Sequence, residues 1–96
     1  MIQYGEKKMK IRTGLMMRNV AGSYVVVAAG KEAIDFNGMI TLNETGAFLW
    51  NKLVEGCTEE ELVSSLLEEY DVSFEQAKVS VENFVKEVKE NNFVEE

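Results

Sequence analysis

The sequence contains no histidine and only one cysteine, Cys57. Histidine is the usual general base at neutral pH and the commonest metal ligand, so its absence argues against acid–base catalysis and against a zinc site. A single cysteine cannot form an internal disulfide, which small secreted domains usually need. No apolar run approaches the ~20 residues that cross a membrane, and the first residues lack the apolar segment of a signal peptide. A glycine-rich phosphate-binding loop is also missing. We therefore expect a cytoplasmic protein that is not an enzyme, needs no metal or other cofactor and does not bind a membrane.

Charge divides the chain into two unlike parts. The net charge is −7 over 96 residues. Residues 1–41 contain six Lys and Arg against three Asp and Glu, a balance of +3, whereas residues 42–96 contain four Lys against fourteen Asp and Glu, a balance of −10. The acidic second part opposes binding to the phosphate backbone of nucleic acids. The length fits a single domain, 1–96, and the basic residues 1–13 predict a weakly ordered arm.

The first half of the chain predicts an antiparallel sheet of three or four short strands. Aromatic and β-branched residues at 24–29 give the strongest strand signal. Asn37-Gly38 predicts a hairpin turn, because both residues tolerate positive φ. The predicted strands are 15–20, 24–29, 33–36 and 39–42.

The second half predicts three helices, each opened by a capping residue. Asn43 can cap the first, and Gly56 follows its end. Thr58 and Ser73 each begin a capping box that opens the next helix. Strands followed by three helices predict an α+β domain of the winged helix-turn-helix type. The predicted helices run to about residues 54, 69 and 91. The apolar residues of the third predict a buried stripe of Phe74, Ala77, Val81, Phe84 and Val88.

The run Leu42-Asn43-Glu44-Thr45-Gly46-Ala47-x-x-Trp50 is the most distinctive in the chain. By itself it predicts a junction between a strand and a helix, with an N-cap, an acidic first turn and a glycine that allows close backbone approach. The run resembles the PqqD family, named for pyrroloquinoline quinone biosynthesis protein D and also called RiPP recognition elements. The similarity continues at residues 20–27, 56–63 and 68–73, so that it covers about residues 11–95.

The resemblance implies a winged-helix domain that binds the leader segment of a ribosomally made precursor peptide. Such a domain presents the peptide to a modifying enzyme, often a radical SAM protein. In the family the leader adds as a strand to the third strand, beside the third helix, so backbone hydrogen bonds give affinity and alternate side chains give selectivity. Here the expected edge consists of Met39, Ile40, Thr41 and Leu42. Without the resemblance, the same segment is an ordinary edge strand.

The third helix offers a candidate wall for the peptide. At about 100° per residue, Val85 lies at the margin of the buried stripe, and Lys78 and Lys89 lie beyond it. We predict that Val85 forms an apolar floor and that the two lysines bind acidic residues of the leader. The alternative is a solvated face whose charges pair within the helix, as Glu82 and Lys86 can.

Two other functions stay open. A DNA-binding winged-helix regulator shares the fold outline, and fold alone does not determine function. The helix after a helix-turn-helix turn should then be basic, but the third helix carries four glutamates against three lysines. The other alternative is a non-catalytic oligomerisation subunit, since an edge strand permits a monomer or a homodimer. The family acts on many peptides, so the resemblance does not imply a role in pyrroloquinoline quinone synthesis.

Overall fold

The structure, a computed structural model, describes residues 8–28 and 40–95. An antiparallel sheet is followed by three helices among these residues, which confirms the predicted α+β class. The predicted strand 33–36, the Asn37-Gly38 turn and Met39 lie outside the described residues. In chain order the elements are β1 (Lys10–Ile11), β2 (Leu15–Val20), β3 (Ser23–Ala28), β4 (Ile40–Leu42), α1 (Glu44–Glu55), α2 (Glu59–Glu69), α3 (Phe74–Glu90) and β5 (Val94–Glu95).

Within residues 8–28 and 40–95, the main sheet has three strands in the order β2-β3-β4. A two-residue turn joins β2 to β3, with φ of 53° at Ala21 and 85° at Gly22. Positive φ at both residues is the conformation of a type I′ hairpin turn, whose twist matches that of the flanking strands. The Gly22 N–H donates to Asn19 Oδ1 at 3.2 Å, which closes the turn.

The helices begin at the predicted caps and end within one residue of the predicted positions. Asn43 Oδ1 accepts a hydrogen bond of 2.7 Å from the Gly46 N–H. Thr58 and Glu61 exchange two hydrogen bonds of 2.8 and 3.1 Å, which satisfy two backbone donors that the start of a helix otherwise leaves free. A second complete capping box begins at Ser73. The capping residues that predict the three helices therefore form the expected hydrogen bonds in the structure.

Residues 8–13, the described part of the expected arm, differ from the sequence prediction. Strand β1 pairs antiparallel with β5 from the other end of the chain. Met9 exchanges two backbone hydrogen bonds with Cys57, at 2.8 and 3.0 Å. The side chains of Met9 and Ile11 are 3% and 6% exposed and belong to the core. Burial of these two apolar side chains holds the segment against the helices.

The core joins the main sheet, β1 and all three helices. Trp50 of α1 lies edge-to-face against Phe93, with ring centroids 6.0 Å apart. Leu49, Leu53 and Leu62 are completely buried around this region. The C-terminal end of α3 and the residues before β5 are thus fixed to α1.

The stripe predicted on α3 is buried except at Phe74, which is 58% exposed. Phe74 is the first residue of the helix and lies beside Leu67 in a shallow concavity between α2 and α3. Helical spacing places Phe74 in line with the buried residues, but Phe74 stands at the first position of α3, where its side chain is left largely uncovered. The prediction for Phe74 is therefore wrong, because the stripe is longer than the surface against which it packs.

Candidate functional site

Strand β4 forms one edge of the described part of the main sheet. Its inner edge pairs with β3, where Ile40 lies opposite Val26 and Leu42 opposite Tyr24. Among residues 8–28 and 40–95, no strand pairs with its outer edge. In an antiparallel pair, successive residues direct their backbone N–H and C=O groups alternately towards and away from the partner strand. The outer edge of β4 therefore presents hydrogen-bonding groups that another extended chain can pair with.

A cleft of about 270 Å³ opens beside β4, between this strand, the start of α1 and the middle of α3. Its apolar base is formed by the buried side chains of Leu42, Leu49 and Phe84. Hydroxyl, amide and carboxylate groups surround this base, so the cleft suits a polar or amphipathic ligand. The polar lining consists of Thr41, Asn43, Thr45, Ser80, Asn83 and Glu87.

Gly46 keeps α1 close to β4 at one side of this cleft. A Cβ atom at this position would lie 3.2 Å from Asn43 Oδ1 and 3.4 Å from Leu42 Cβ. The first contact is tighter than ordinary van der Waals contact and the second is at its lower limit, so a side chain at Gly46 would require the capping oxygen of Asn43 to shift by a few tenths of an ångström. The Leu42–Gly46 junction thus acts as scaffold: it fixes the end of β4 and the cap of α1 relative to each other.

The structure does not bring the predicted residues of the third helix to the cleft. Val85 is 5% exposed and belongs to the core. At about 100° per residue, Lys78 and Lys89 lie on one flank of the buried stripe, whereas Ser80 and Glu87 lie on the other. Only the second flank lines the cleft beside β4. Contact of Lys78 and Lys89 with a peptide stays a prediction, and this arrangement disfavours it.

Lys78 instead lines the concavity between α2 and α3. This concavity has a volume of about 410 Å³ and includes Phe74 and Leu67. Three glutamates at the start of α2 form part of the same lining, so Lys78 lies in an acidic neighbourhood of its own chain. None of the residues that line this concavity belongs to β4 or to the cleft, so the two are separate.

Three residues of the cleft were not recognised from the sequence. Ser80, Asn83 and Glu87 follow one another at spacings of three and four residues, which places them on one face of α3. This polar row borders the buried stripe, and the same periodicity that predicts the stripe is the signal that identifies it. What the periodicity does not provide is the identity of the element that each flank of the helix faces.

Cys57 is buried away from the cleft. Its Sγ atom lies 3.8 Å from the carbonyl oxygen of Lys52, and its backbone pairs with Met9. Burial raises the pKa of the Cys57 thiol, and the nearby Glu61 carboxylate raises it further. The raised pKa keeps the thiol protonated, which opposes a role as a nucleophile.

Residues 8–28 and 40–95 contain no group of three or more cysteine, aspartate or glutamate side chains that could hold a metal ion. None of their helices combines the length and the apolar character needed to cross a membrane.

Two solved structures resemble this chain, each with a TM-score of 0.70 and 20% sequence identity. The first is described as "Lasso peptide synthetase B1 complexed with the leader peptide", and the match covers 92% of this chain and 98% of that one. The second is TbiB1 in complex with the TbiA(beta) leader peptide, with coverage of 90% and 94%. At this level of identity the two structures establish the fold. A comparison with curated proteins found no match.

The sequence itself also matches a family. The family model described as Coenzyme PQQ synthesis protein D (PqqD) aligns with residues 23–94, which is 72 of the 96 residues. The match contains the junction at Leu42–Gly46 and all three helices, and it confirms the resemblance inferred from the residues. The chain belongs to the PqqD family.

Proposed function

We propose that this protein binds the leader segment of a ribosomally synthesised precursor peptide and presents it to a modifying enzyme. The leader adds as an extended strand to the outer edge of β4, and its side chains enter the cleft between β4 and α3. The observation that carries the proposal is the edge of β4 beside a partly polar cleft of about 270 Å³. Membership of the PqqD family supports it, and both similar structures are described as complexes with leader peptides.

Strand addition suits the shape and chemistry of this site. A peptide strand beside β4 pairs its backbone with the outward groups of the strand, independently of sequence. Every second side chain of the added strand points to the same face, so alternate residues meet the buried base of Leu42 and Phe84 and the polar row of α3. The backbone of β4 thus supplies affinity, and the side chains that line the cleft supply selectivity.

The role that follows is binding and presentation, carried out in the cytoplasm together with an enzyme of the radical SAM type or another peptide-modifying class. The protein itself contributes no chemistry in this proposal, because the described residues of the cleft pair no nucleophile with a base. Met39, which precedes β4 in the chain, is proposed to extend the peptide-binding edge by one residue.

A DNA-binding role is disfavoured by charge. The helix that would enter the major groove is α3, which carries glutamates at four positions and lysines at three. Phosphate contacts require clustered Lys or Arg, and the second half of the chain has a balance of −10.

Backbone pairing can be tested with N-methylated peptides. Synthetic peptides that cover the N-terminal segments of short reading frames flanking the gene are titrated against the protein, and the tightest binder is then N-methylated at alternate residues. Methylation removes one hydrogen-bond donor and adds bulk where the strand meets β4. Peptides methylated at residues whose N–H groups face β4 should bind about tenfold more weakly or worse. Peptides methylated at the intervening residues, whose N–H groups face away from β4, should bind as before. Equal affinity of the two sets of peptides would rule out strand addition.

A further inference from the structure

Among residues 8–28 and 40–95, Glu87 is the one charged side chain that lines the β4–α3 cleft. We propose that Glu87 selects a lysine or arginine of the bound peptide. One residue of the peptide contacts Ser80 and Asn83, and the selected lysine or arginine lies two residues further along. This inference rests on the proposed function and adds a sequence preference to it. It also reverses the preference for acidic leader residues that the lysines of the third helix suggest.

The charge pattern of α3 isolates Glu87 from the lysines of its own helix. Residues three or four apart on a helix are neighbours, and opposite charges at that spacing pair. Glu75 has Lys78 three residues on, Glu82 has lysines four residues away on both sides, and Glu90 has a lysine four residues back. Glu87 instead has Asn83, Phe84, Glu90 and Asn91 at these positions. Of the four glutamates of α3, Glu87 alone has no lysine at pairing distance along the helix.

The surroundings strengthen the negative potential at this point. Glu87 is exposed on the flank of α3 that faces β4, and the other polar residues that the structure describes along the cleft are neutral. Lys78 lies nine residues earlier in the helix, which places it on the opposite side of α3 at about 100° per residue. A cationic side chain entering the cleft therefore meets one carboxylate and uncharged hydroxyl and amide groups, in an acidic half of the chain.

The spacing of the polar row matches the repeat of an extended peptide. Four residues of helix from Asn83 to Glu87 rise about 6 Å. Two residues of a strand advance about 6.6 Å, and side chains two apart point to the same face. A peptide strand lying along this row can thus place one side chain at Ser80 and Asn83 and the next inward side chain at Glu87.

The test is a display library of random linear peptides of about a dozen residues, selected separately against wild type, Glu87→Gln, Glu87→Lys and the control Glu82→Gln. Glu82 lies on α3 outside the cleft lining and its replacement should leave the selection unchanged. Wild type should enrich peptides with Lys or Arg at one fixed position. Glu87→Gln should lose that preference, and Glu87→Lys should replace it by Asp or Glu. Peptides selected by wild type should bind Glu87→Gln about fivefold more weakly, which is the upper end of what an exposed, charge-assisted ion pair contributes.

The outcomes separate this inference from the proposed function. Amide chemical shifts of the protein show where the selected peptides bind. If these peptides shift the amides of β4 but share no Lys or Arg at a fixed position, the inference is overturned and strand addition stands. The same conclusion follows if Glu87→Gln keeps the preference for Lys or Arg. If no peptide is enriched, or if all bound peptides map away from β4, the proposed function and the inference fall together.

Discussion

Replacement of Ile11 by alanine should destabilise the protein strongly, because this residue belongs to the core and not to a loose arm. Ile11 is 6% exposed, so the change removes three carbon atoms from a buried site. At about 0.8 kcal/mol for each carbon plus a term for the cavity, the expected loss is about 2–4 kcal/mol. The whole domain is stable by only about 5–14 kcal/mol at its length, so the loss is a large fraction of the total. The melting temperature should fall by about 10–30 °C.

The neighbouring residue of the same strand provides the matched control. Lys10 has an exposed side chain opposite Glu95, and its replacement by alanine should cost less than about 1 kcal/mol. Urea unfolding followed by Trp50 fluorescence measures both variants against wild type, since Trp50 is buried beside Phe93. If Ile11→Ala and Lys10→Ala both lose less than about 1 kcal/mol, the packing of β1 against the helices is refuted.

Three further predictions concern a turn, a cap and a thiol. Ala21 has φ of 53° in the type I′ turn, where asparagine is favoured, so Ala21→Asn should raise stability by about 0.5–1 kcal/mol in thermal unfolding; a lower melting temperature would contradict the assigned turn. Thr58→Ala removes the acceptor of the Glu61 N–H and should cost about 1 kcal/mol, and a loss below about 0.3 kcal/mol would show that the capping box contributes little. The pKa of Cys57 in the folded protein is raised above its ordinary value of 9.0, so deprotonation of the thiol favours the unfolded state. The contribution of the neutral thiol to stability is therefore complete below pH 9.0 and is lost as pH rises through the folded-state pKa. Urea midpoints measured from pH 8 to pH 10.5, values chosen to bracket about 9, should therefore fall more for wild type than for Cys57→Ala, and parallel curves would contradict the prediction.

The helices and their boundaries could be predicted because the signals are local. An N-cap such as Asn43 and a capping box such as that of Thr58 act within four residues, and the corresponding hydrogen bonds are present in the structure. The hairpin between β2 and β3 is also local, since its strands are joined by two residues. These elements need no knowledge of the rest of the fold.

The pairing of β1 with β5 could not be predicted in the same way. Each strand has two residues, and they come from the two ends of the described chain. A strand this short has no periodicity to recognise, and its stability depends on burial of Met9 and Ile11 by helices that are distant in sequence. The basic composition of residues 1–13 therefore predicts an arm, whereas the structure has a packed strand at Lys10–Ile11.

The candidate site was predicted in part. The strand of Ile40, Thr41 and Leu42 lies at the edge of the sheet and beside α3, as expected, and its contact with a peptide remains a prediction. The sequence predicts a peptide-binding wall on the flank of α3 that carries Lys78, whereas the flank that carries Glu87 lines the cleft. A helical wheel distinguishes buried from exposed positions, but both flanks of a buried stripe are equivalent until the neighbouring elements are known.

Amide hydrogen exchange of the isotope-labelled protein, with and without its leader peptide, tests strand addition at β4 most directly. The account predicts slower exchange at alternate residues of Ile40–Leu42, because only the outward N–H groups gain a partner. In the NMR spectra of the same samples, the account also predicts that the peptide changes the amide chemical shifts of Ser80, Asn83 and Glu87 and leaves those of Lys78 and Lys89 unchanged. Unchanged exchange along β4, together with shifts centred on Lys78 and the concavity between α2 and α3, would contradict it.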